Sequence, residues 1–135
     1  MVKTINISVK HQGLTAFTDK VQQVVKAADI SEGLCTLFIQ HTSASLLIQE
    51  NYDPSAKNDL EAWLNRLVPE RDPLYTHTLE GDDDMPAHIK AALTATSLSI
   101  PIMNGALALG TWQGIFLWEH RHMATTRKVL IHLSH

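Results

Sequence analysis

The 135-residue sequence predicts one α+β domain, a compact two-layer sandwich with a mostly antiparallel sheet and about three helices. Two observations support this prediction. Segments with strand patterns and segments with helical spacing both occur, but they do not alternate regularly, which disfavours a parallel βαβ arrangement. No linker, repeat or low-complexity stretch divides residues 1–135, and this length is sufficient to bury one core.

The first part of the chain predicts three extended segments and one helix. INISV (5–9) alternates apolar and polar residues, which is typical of a half-buried strand. Residues 21–28 repeat apolar side chains at spacings of three and four, which predicts a helix. LCTLFIQH (34–41) is apolar up to Gln40 and predicts a buried strand, and SLLIQE (45–50) predicts a further extended piece.

The remaining chain predicts two helices and three strands. Asp53 suits a helix N-cap and Pro54 suits the first turn, and the apolar stripe that follows ends at Pro69. Pro86 predicts the first turn of a short helix that reaches about Ala95. The predicted strands cover residues 97–102, 106–121 and 127–134.

Composition excludes several classes of protein. The formal charge of −3 and the lack of a Lys/Arg run argue against a nucleic-acid partner. The N-terminus lacks a signal-peptide core, and no apolar run approaches the roughly 20 residues of a membrane span, so we expect a cytoplasmic protein without a membrane partner. The single cysteine, Cys35, excludes an intramolecular disulfide. Eight histidines are many for this length.

The segment YTHTLEGDDDMPAHIK (75–90) contains three adjacent aspartates, which repel one another unless a positive group joins them. If Asp84 caps the helix, it shares a face with His88, and His77 can supply a third metal ligand. Nitrogen and oxygen donors suit zinc, manganese or iron, whereas magnesium prefers carboxylates and water. The alternative is that the aspartates only cap the helix and complement its dipole.

The segment QHTSAS (40–45) places small hydroxyl residues after a histidine. Ser43 near His41 resembles a nucleophile and its base, but the glycines of a nucleophile elbow and a third member are absent. We favour a loop whose hydroxyls and backbone N–H groups hold an anion, with His41 as a metal ligand or acid/base. The alternative is that these hydroxyls satisfy backbone groups in a turn.

The segment WEHRH (118–122) cannot aim all its side chains at one point of a strand, because successive residues face opposite sides. We predict that His120 meets His41 across neighbouring strands and moves a proton. Arg121, whose planar fork suits phosphate or carboxylate, lies past the strand end and contacts a phosphate or an aspartate of 82–84. Glu119 orients a histidine or Arg121. The alternatives are that His120 and His122 form a metal-binding pair, or that the segment is a solvated strand end.

Four segments in this order resemble the YjbQ-like family: HTSASLLIQEN, YTHTLEGDDDMPAHIK, SLSIPI and LGTWQGIFLWEHR. The resemblance runs from about Gly33 to Arg121; His122 is outside the pattern, which weakens the histidine pair. The resemblance implies an α+β sandwich and a homotrimer. It also implies a secondary thiamine-phosphate synthase activity, which joins a pyrimidine diphosphate to a thiazole phosphate and releases diphosphate.

The resemblance and the patterns together give a set of candidate site residues. The expected ligands are a divalent metal ion (Zn or Mg) and a small phosphorylated molecule. The candidate catalytic residues are His41, Glu119, His120 and Arg121; the candidate substrate-binding residues are Ser43, Lys90, Gln113 and Arg121; the candidate metal ligands are His77, Asp84, His88 and His41. Glu50 and Asp83 also match the family pattern.

These expectations lead to one functional prediction and two alternatives. The prediction is a metal-assisted enzyme acting on a small phosphorylated molecule, with thiamine-phosphate synthase-like transfer as the named case. The first alternative is a metal-dependent hydrolase in which water replaces the second organic substrate. The second alternative is a protein that holds a metal or an anion without catalysis.

Overall fold

The fold consists of two antiparallel sheets and three helices, which confirms the predicted α+β class. The computed structural model describes residues 1–135. The elements, in chain order, are β1 (Val2–Val9), β2 (Gly13–Ala16), α1 (Thr18–Ala28), β3 (Gly33–Ile39), β4 (Ala44–Glu50), α2 (Pro54–Leu67), α3 (Asp84–Leu93), β5 (Ser97–Met103), β6 (Ala106–Leu107), β7 (Gln113–Glu119) and β8 (Thr125–Ser134). The larger sheet has the strand order β1-β8-β3-β5-β6, and the smaller has β2-β7-β4.

The main core lies between the two sheets. Strand alternation turns residues such as Leu37 and Ile131 inward from the large sheet, and Leu46 and Leu117 inward from the small sheet. The valines of α1 complete this cluster of 19 buried residues. The sheets are therefore the two layers of the sandwich, and α1 closes the core between them.

The strand β7 is buried on both faces, which explains its continuous apolar run. Ile115 and Leu117 belong to the main core, whereas Phe116 and Trp118 belong to a second cluster that includes Leu64 of α2. The helices α2 and α3 thus cover the outer face of the small sheet. This packing brings the start of α3 close to the end of β7, where the polar residues gather.

Most predicted elements are present, with two differences. The helix α2 begins as predicted, since Asp53 Oδ1 accepts a hydrogen bond from the Ser55 N–H at 2.9 Å. The strand β2 was not predicted, because four residues are too few for a clear pattern. The predicted strand at 106–121 is two strands, separated by a turn in which Gln113 Oε1 accepts from the Gly110 N–H at 2.8 Å. None of the three helices is long and apolar enough to cross a membrane.

Leu117 tests the importance of the core between the sheets. It is completely buried, so Leu117→Ala should lower the free energy of unfolding by about 2–5 kcal/mol through lost burial and a new cavity. Urea denaturation followed by fluorescence measures this change. Leu79→Ala is the matched control, because Leu79 is 99% exposed and its truncation should leave stability nearly unchanged. Equal midpoints for the two variants would contradict the packing described.

Candidate functional site

Three predicted metal ligands, His77, Asp84 and His88, come together at the start of α3. Asp84 is the first residue of the helix and His88 lies one turn later on the same face. His77 comes from the irregular segment between α2 and α3. Asp84 Oδ2 is 2.7 Å from His77 Nε2 and 3.3 Å from His88 Nε2. One ligand atom from each residue lies within 4.8 Å of the others, so the sequence spacing identified a real cluster.

The tautomer of His88 is set by a backbone carbonyl. His88 Nδ1 lies 3.1 Å from Thr42 O, and because a carbonyl only accepts, Nδ1 must carry a hydrogen. In the neutral ring, Nε2 therefore presents a lone pair toward Asp84 Oδ2. Two electron-rich atoms at 3.3 Å repel unless a proton or a cation lies between them.

The aspartate run is held together by arginines. Arg121 Nε donates to Asp83 Oδ2 at 3.1 Å, and its Nη1 donates to Asp84 Oδ1 at 2.7 Å. This is the pairing of Arg121 with the aspartate run that the sequence predicted. Asp82 contacts Arg71 instead, in an exposed pair at 3.3 Å. The three like charges are adjacent because two guanidinium groups compensate them.

The expectation that Asp84 caps α3 was wrong. The helix begins at Asp84, the N-cap position is Asp83, and no side chain makes a capping hydrogen bond. The physical reason is competition: Asp83 Oδ2 accepts from Arg121 Nε and from the backbone N–H of His122 at 2.9 Å. The carboxylates thus join α3 to the chain after β7 instead of capping the helix.

These contacts keep both carboxylates ionised. Burial alone would raise the pKa of Asp84, but the hydrogen bond from His77 and the charges of Arg121 and His88 together lower it below its usual value. Burial would also raise the pKa of Asp83, but the contacts to the His122 backbone and to Arg121 outweigh burial and lower this pKa. Asp84 is therefore an anionic, nearly inaccessible ligand with one oxygen directed at the histidines.

A second polar group lies between the sheets, around a fully buried carboxylate. Arg127 of β8 forms a two-pronged ion pair with Glu119 at the end of β7. Arg127 Nη2 also donates to Ser43 Oγ at 2.9 Å, and Glu119 Oε2 accepts from the Arg121 N–H at 3.0 Å. Ser43 therefore faces Arg127 rather than the metal-ligand cluster, and Glu119 positions the backbone of Arg121, partly as predicted.

His41 does not join the metal-ligand cluster. Its Nε2 accepts from the Lys128 N–H at 2.8 Å, and its Nδ1 lies 3.3 Å from Arg127 Nη1. Burial and the charge of Arg127 lower the pKa of His41, against the opposing charge of Glu119, so the ring is neutral. The prediction of His41 as a metal ligand is corrected, because the one lone pair of the neutral ring, on Nε2, already accepts from the Lys128 N–H.

His120 does not meet His41 either. Its Nε2 is 2.9 Å from Ser45 Oγ in the interior. Burial, with smaller contributions from the charges of Lys90 and Arg127, lowers the pKa of His120 to about 3. A ring that stays neutral at ordinary pH does not favour the predicted proton transfer. His122 is exposed and contacts Glu70 at 2.6 Å, so the two histidines form no metal pair.

The predicted substrate-binding residues are dispersed. Gln113 begins β7 and pairs with Glu50 in register, so it lies roughly 20 Å along the strand from Glu119. Lys90 is 3% exposed and its Nζ donates to Asn65 Oδ1 at 2.6 Å. Burial lowers the pKa of Lys90, against the charges of Glu70 and Asp83. Gln113 and Glu50 are therefore remote from Arg121, and Lys90 faces the interior.

Sequence reasoning missed Arg127, the residue that binds Glu119, Ser43 and His41. A signal was present: Arg127 occupies the same face of β8 as Val129 and Ile131, which point into the core. A charged residue at a core-facing position is unusual and requires a buried partner.

Two packed antiparallel sheets, with histidines and an aspartate meeting at the start of a short helix, define a small α+β protein with a candidate metal site at its surface. The chain belongs to the family described as UPF0047 protein YjbQ-like, whose family model matches residues 3–135. This membership confirms the resemblance that the motifs indicated.

The relatives agree in sequence and in structure. UPF0047 protein sll1880 from Synechocystis sp. is 53% identical over 128 residues, covering 95% of this chain and 87% of the relative. The conserved hypothetical protein TT1486 from Thermus thermophilus has a TM-score of 0.87 at 32% identity, covering 98% of this chain and 99% of that one. A YbjQ-like protein of unknown function from Sulfolobus solfataricus has a TM-score of 0.82 at 27% identity, covering 100% and 99% of the respective chains.

The functional prediction was wrong. Neither the family description nor these relatives name a thiamine-phosphate synthase or a metal-dependent enzyme, and the Sulfolobus relative is described as having unknown function. The transferase assignment and the hydrolase alternative are therefore withdrawn. The alternative of a purely non-catalytic binder gains no support from them either. The small phosphorylated partner remains a prediction of the sequence alone.

His120 predicts a pH dependence of stability. Its folded pKa of about 3 lies below the unfolded value of about 6.5, so the unfolded chain binds a proton that the native chain excludes. Its contribution to stability is complete above about pH 6.5 and falls with acid, by up to about 1.4 kcal/mol per pH unit. His120→Gln, which retains a polar group beside Ser45, should flatten this slope in urea denaturation.

The control for this prediction is His11→Gln, because His11 is exposed between β1 and β2. It should retain the wild-type slope. A slope that is unchanged in His120→Gln would show that another group is responsible.

Proposed function

We propose that the protein binds a divalent transition-metal ion through His77 Nε2, Asp84 Oδ2 and His88 Nε2. The observation that carries this proposal is the convergence of the three ligand atoms within 4.8 Å. Two imidazoles and one carboxylate are an established ligand set for such ions.

The distances fit an ion after a small adjustment. Ligands held about 2.1 Å from a tetrahedral ion lie roughly 3.4 Å from each other. His88 Nε2 and Asp84 Oδ2 are already 3.3 Å apart, whereas His77 Nε2 is closer, at 2.7 Å from the same oxygen. Relative to Asp84 Oδ2, His77 Nε2 must therefore move outward by about 0.7 Å. Its side chain is 48% exposed in an irregular segment, so little packing opposes this movement.

Neighbouring groups orient two of the three ligands. The Thr42 carbonyl fixes the hydrogen of His88 on Nδ1 and leaves Nε2 for the ion. Arg121 occupies Asp84 Oδ1 and directs Oδ2 toward the histidines. Asp83 and Asp84 carry two negative charges against one positive charge on Arg121, so one negative charge remains to attract a cation.

The donor set favours zinc, manganese or iron over magnesium. Magnesium prefers oxygen ligands and water, whereas imidazole nitrogen suits the transition metals. The exposure of His77 leaves coordination positions directed at solvent, through which a further ligand can reach the ion. The sequence left zinc and magnesium open, and this proposal favours zinc or another transition metal.

Metal titration of chelator-treated protein tests the proposal. Calorimetry with Zn²⁺ and Mn²⁺ should give one site per chain, and Mg²⁺ should bind far more weakly. His77→Ala and His88→Ala should each weaken Zn²⁺ binding by at least about tenfold, since even indirect supports of a metal site have effects of this size. His11→Ala is the matched control, an exposed histidine between β1 and β2 that is outside the cluster. Equal affinity in all four proteins would exclude this site.

We also propose that the chain assembles as a homotrimer. Support comes from β3, the central strand of the large sheet, which directs Leu34 and Phe38 outward at 39% and 47% exposure. Leu130 and Pro101 lie beside them on the neighbouring strands. Thr36 lies between these two apolar pairs on the exposed face of the strand, and exposed apolar surface on a central strand is typical of an interface between proteins.

Light scattering measures the assembly directly. Wild-type protein should have a mass near three times the 15.0 kDa chain. Phe38→Asp should reduce the mass, because it places a charge in the apolar patch. Asn58→Asp, an exposed change on α2, should leave the mass unchanged. A wild-type mass of one chain would contradict the proposal.

A further inference from the structure

A cavity on the other side of α3 has the features of a ligand site separate from the metal-ligand cluster. It measures about 330 Å³, within the usual range of small-molecule sites. Only one of its seven lining residues, Val68, is hydrophobic. A smaller cavity of about 60 Å³ continues from Gln12, Asn65 and Lys90 toward His120. Polar groups therefore line the space from its mouth to its inner end.

The inner end of the cavity holds a buried positive charge that no carboxylate contacts directly, although the charges of Glu70 and Asp83 partly offset it. The Lys90 ammonium is nearly inaccessible, donates one hydrogen bond to Asn65 Oδ1 and forms no salt bridge. An ammonium carries three hydrogens, so two lack a protein acceptor. A buried charge without a counter-charge is costly, and an anionic group beside Lys90 would offset that cost.

The remaining lining residues indicate the kind of anion. Asn65 and Gln12 place side-chain amides beside Lys90. Asn65 Nδ2 donates to Gln12 Oε1 at 3.4 Å and Gln12 Nε2 donates to His120 O at 3.0 Å, so each amide has one further hydrogen for a carboxylate oxygen. Glu70 contributes a negative charge to the same wall, although His122 contacts it at 2.6 Å. That charge disfavours a multiply charged ligand such as phosphate, because like charges in a partly buried space repel strongly.

We propose that this cavity binds a small organic monocarboxylate, with Lys90, Asn65 and Gln12 as its hydrogen-bond donors. The carboxylate lies at the inner end against Lys90. The polar body of the ligand extends toward the mouth, where Arg71 and His122 are located. This proposal does not require a metal ion, because the metal-ligand histidines do not line the cavity.

The first experiment uses wild-type, metal-free protein and two probes, acetate and inorganic phosphate. Each is titrated against chloride at constant ionic strength, with the side-chain amide signals of Asn65 and Gln12 followed by NMR. Acetate should shift both signals saturably, and phosphate should shift them at least about tenfold less effectively, as expected for one unfavourable charge contact. Signals that respond to acetate no more than to chloride, or equally to both probes, would overturn the proposal.

The second experiment tests Lys90 itself. Lys90→Met preserves most of the side-chain volume and removes the charge, and it should weaken acetate binding by about tenfold or more, the loss expected for a charged hydrogen bond. Lys3→Met, at an exposed lysine on β1, should bind acetate as the wild type does. Unchanged binding in Lys90→Met would overturn the proposal. If Lys90→Met does not fold, the wild-type titration decides the question.

Discussion

The buried carboxylate of Glu119 is the interaction on which the functional end of this molecule depends. It lies at the end of β7 in the small sheet and binds Arg127 from the large sheet, so it joins the two layers by charge as well as by packing. It also accepts from the backbone of Arg121. A buried ion pair contributes little net stability while intact, but removal of either partner leaves an uncompensated charge in the interior. Neither Glu119 nor Arg127 can therefore be removed alone without a large cost in stability.

Arg121 connects Glu119 to the aspartate run. Its backbone is held by Glu119, and its guanidinium binds Asp83 and Asp84 at the start of α3. The direction of the Asp84 carboxylate, and with it the space between Asp84 and His88, is thus set by a contact between β7 and α3. His77 lies in an irregular segment and its side chain is 48% exposed, so it is held less firmly than Asp84 and His88.

Local patterns predicted that His77, Asp84 and His88 lie close together because these residues are close in sequence. Asp84 and His88 are four residues apart on one helix, and charge alone indicated a partner for the aspartates. The errors involved distant contacts. Gln113 shares a motif with Glu119, yet an extended strand separates them, and the partner of Glu119 comes from β8 in another sheet. His41 and His120 each end an apolar run, which suggested that their rings meet. The structure instead places Arg127 beside His41 and Ser45 beside His120, and the sequence does not show these distant contacts.

The helix α3 separates two chemical environments. His88 and Lys90 are two residues apart, and at about 100° per residue their side chains leave the helix in nearly opposite directions. His88 therefore reaches the surface beside Thr42, while Lys90 enters the interior beside Asn65. Asp83, just before the helix, binds both Arg121 and the backbone of His122, which lines the cavity. The contacts of Asp83 and Asp84 thus fix the rotation of this short helix, and with it the opposite directions of His88 and Lys90.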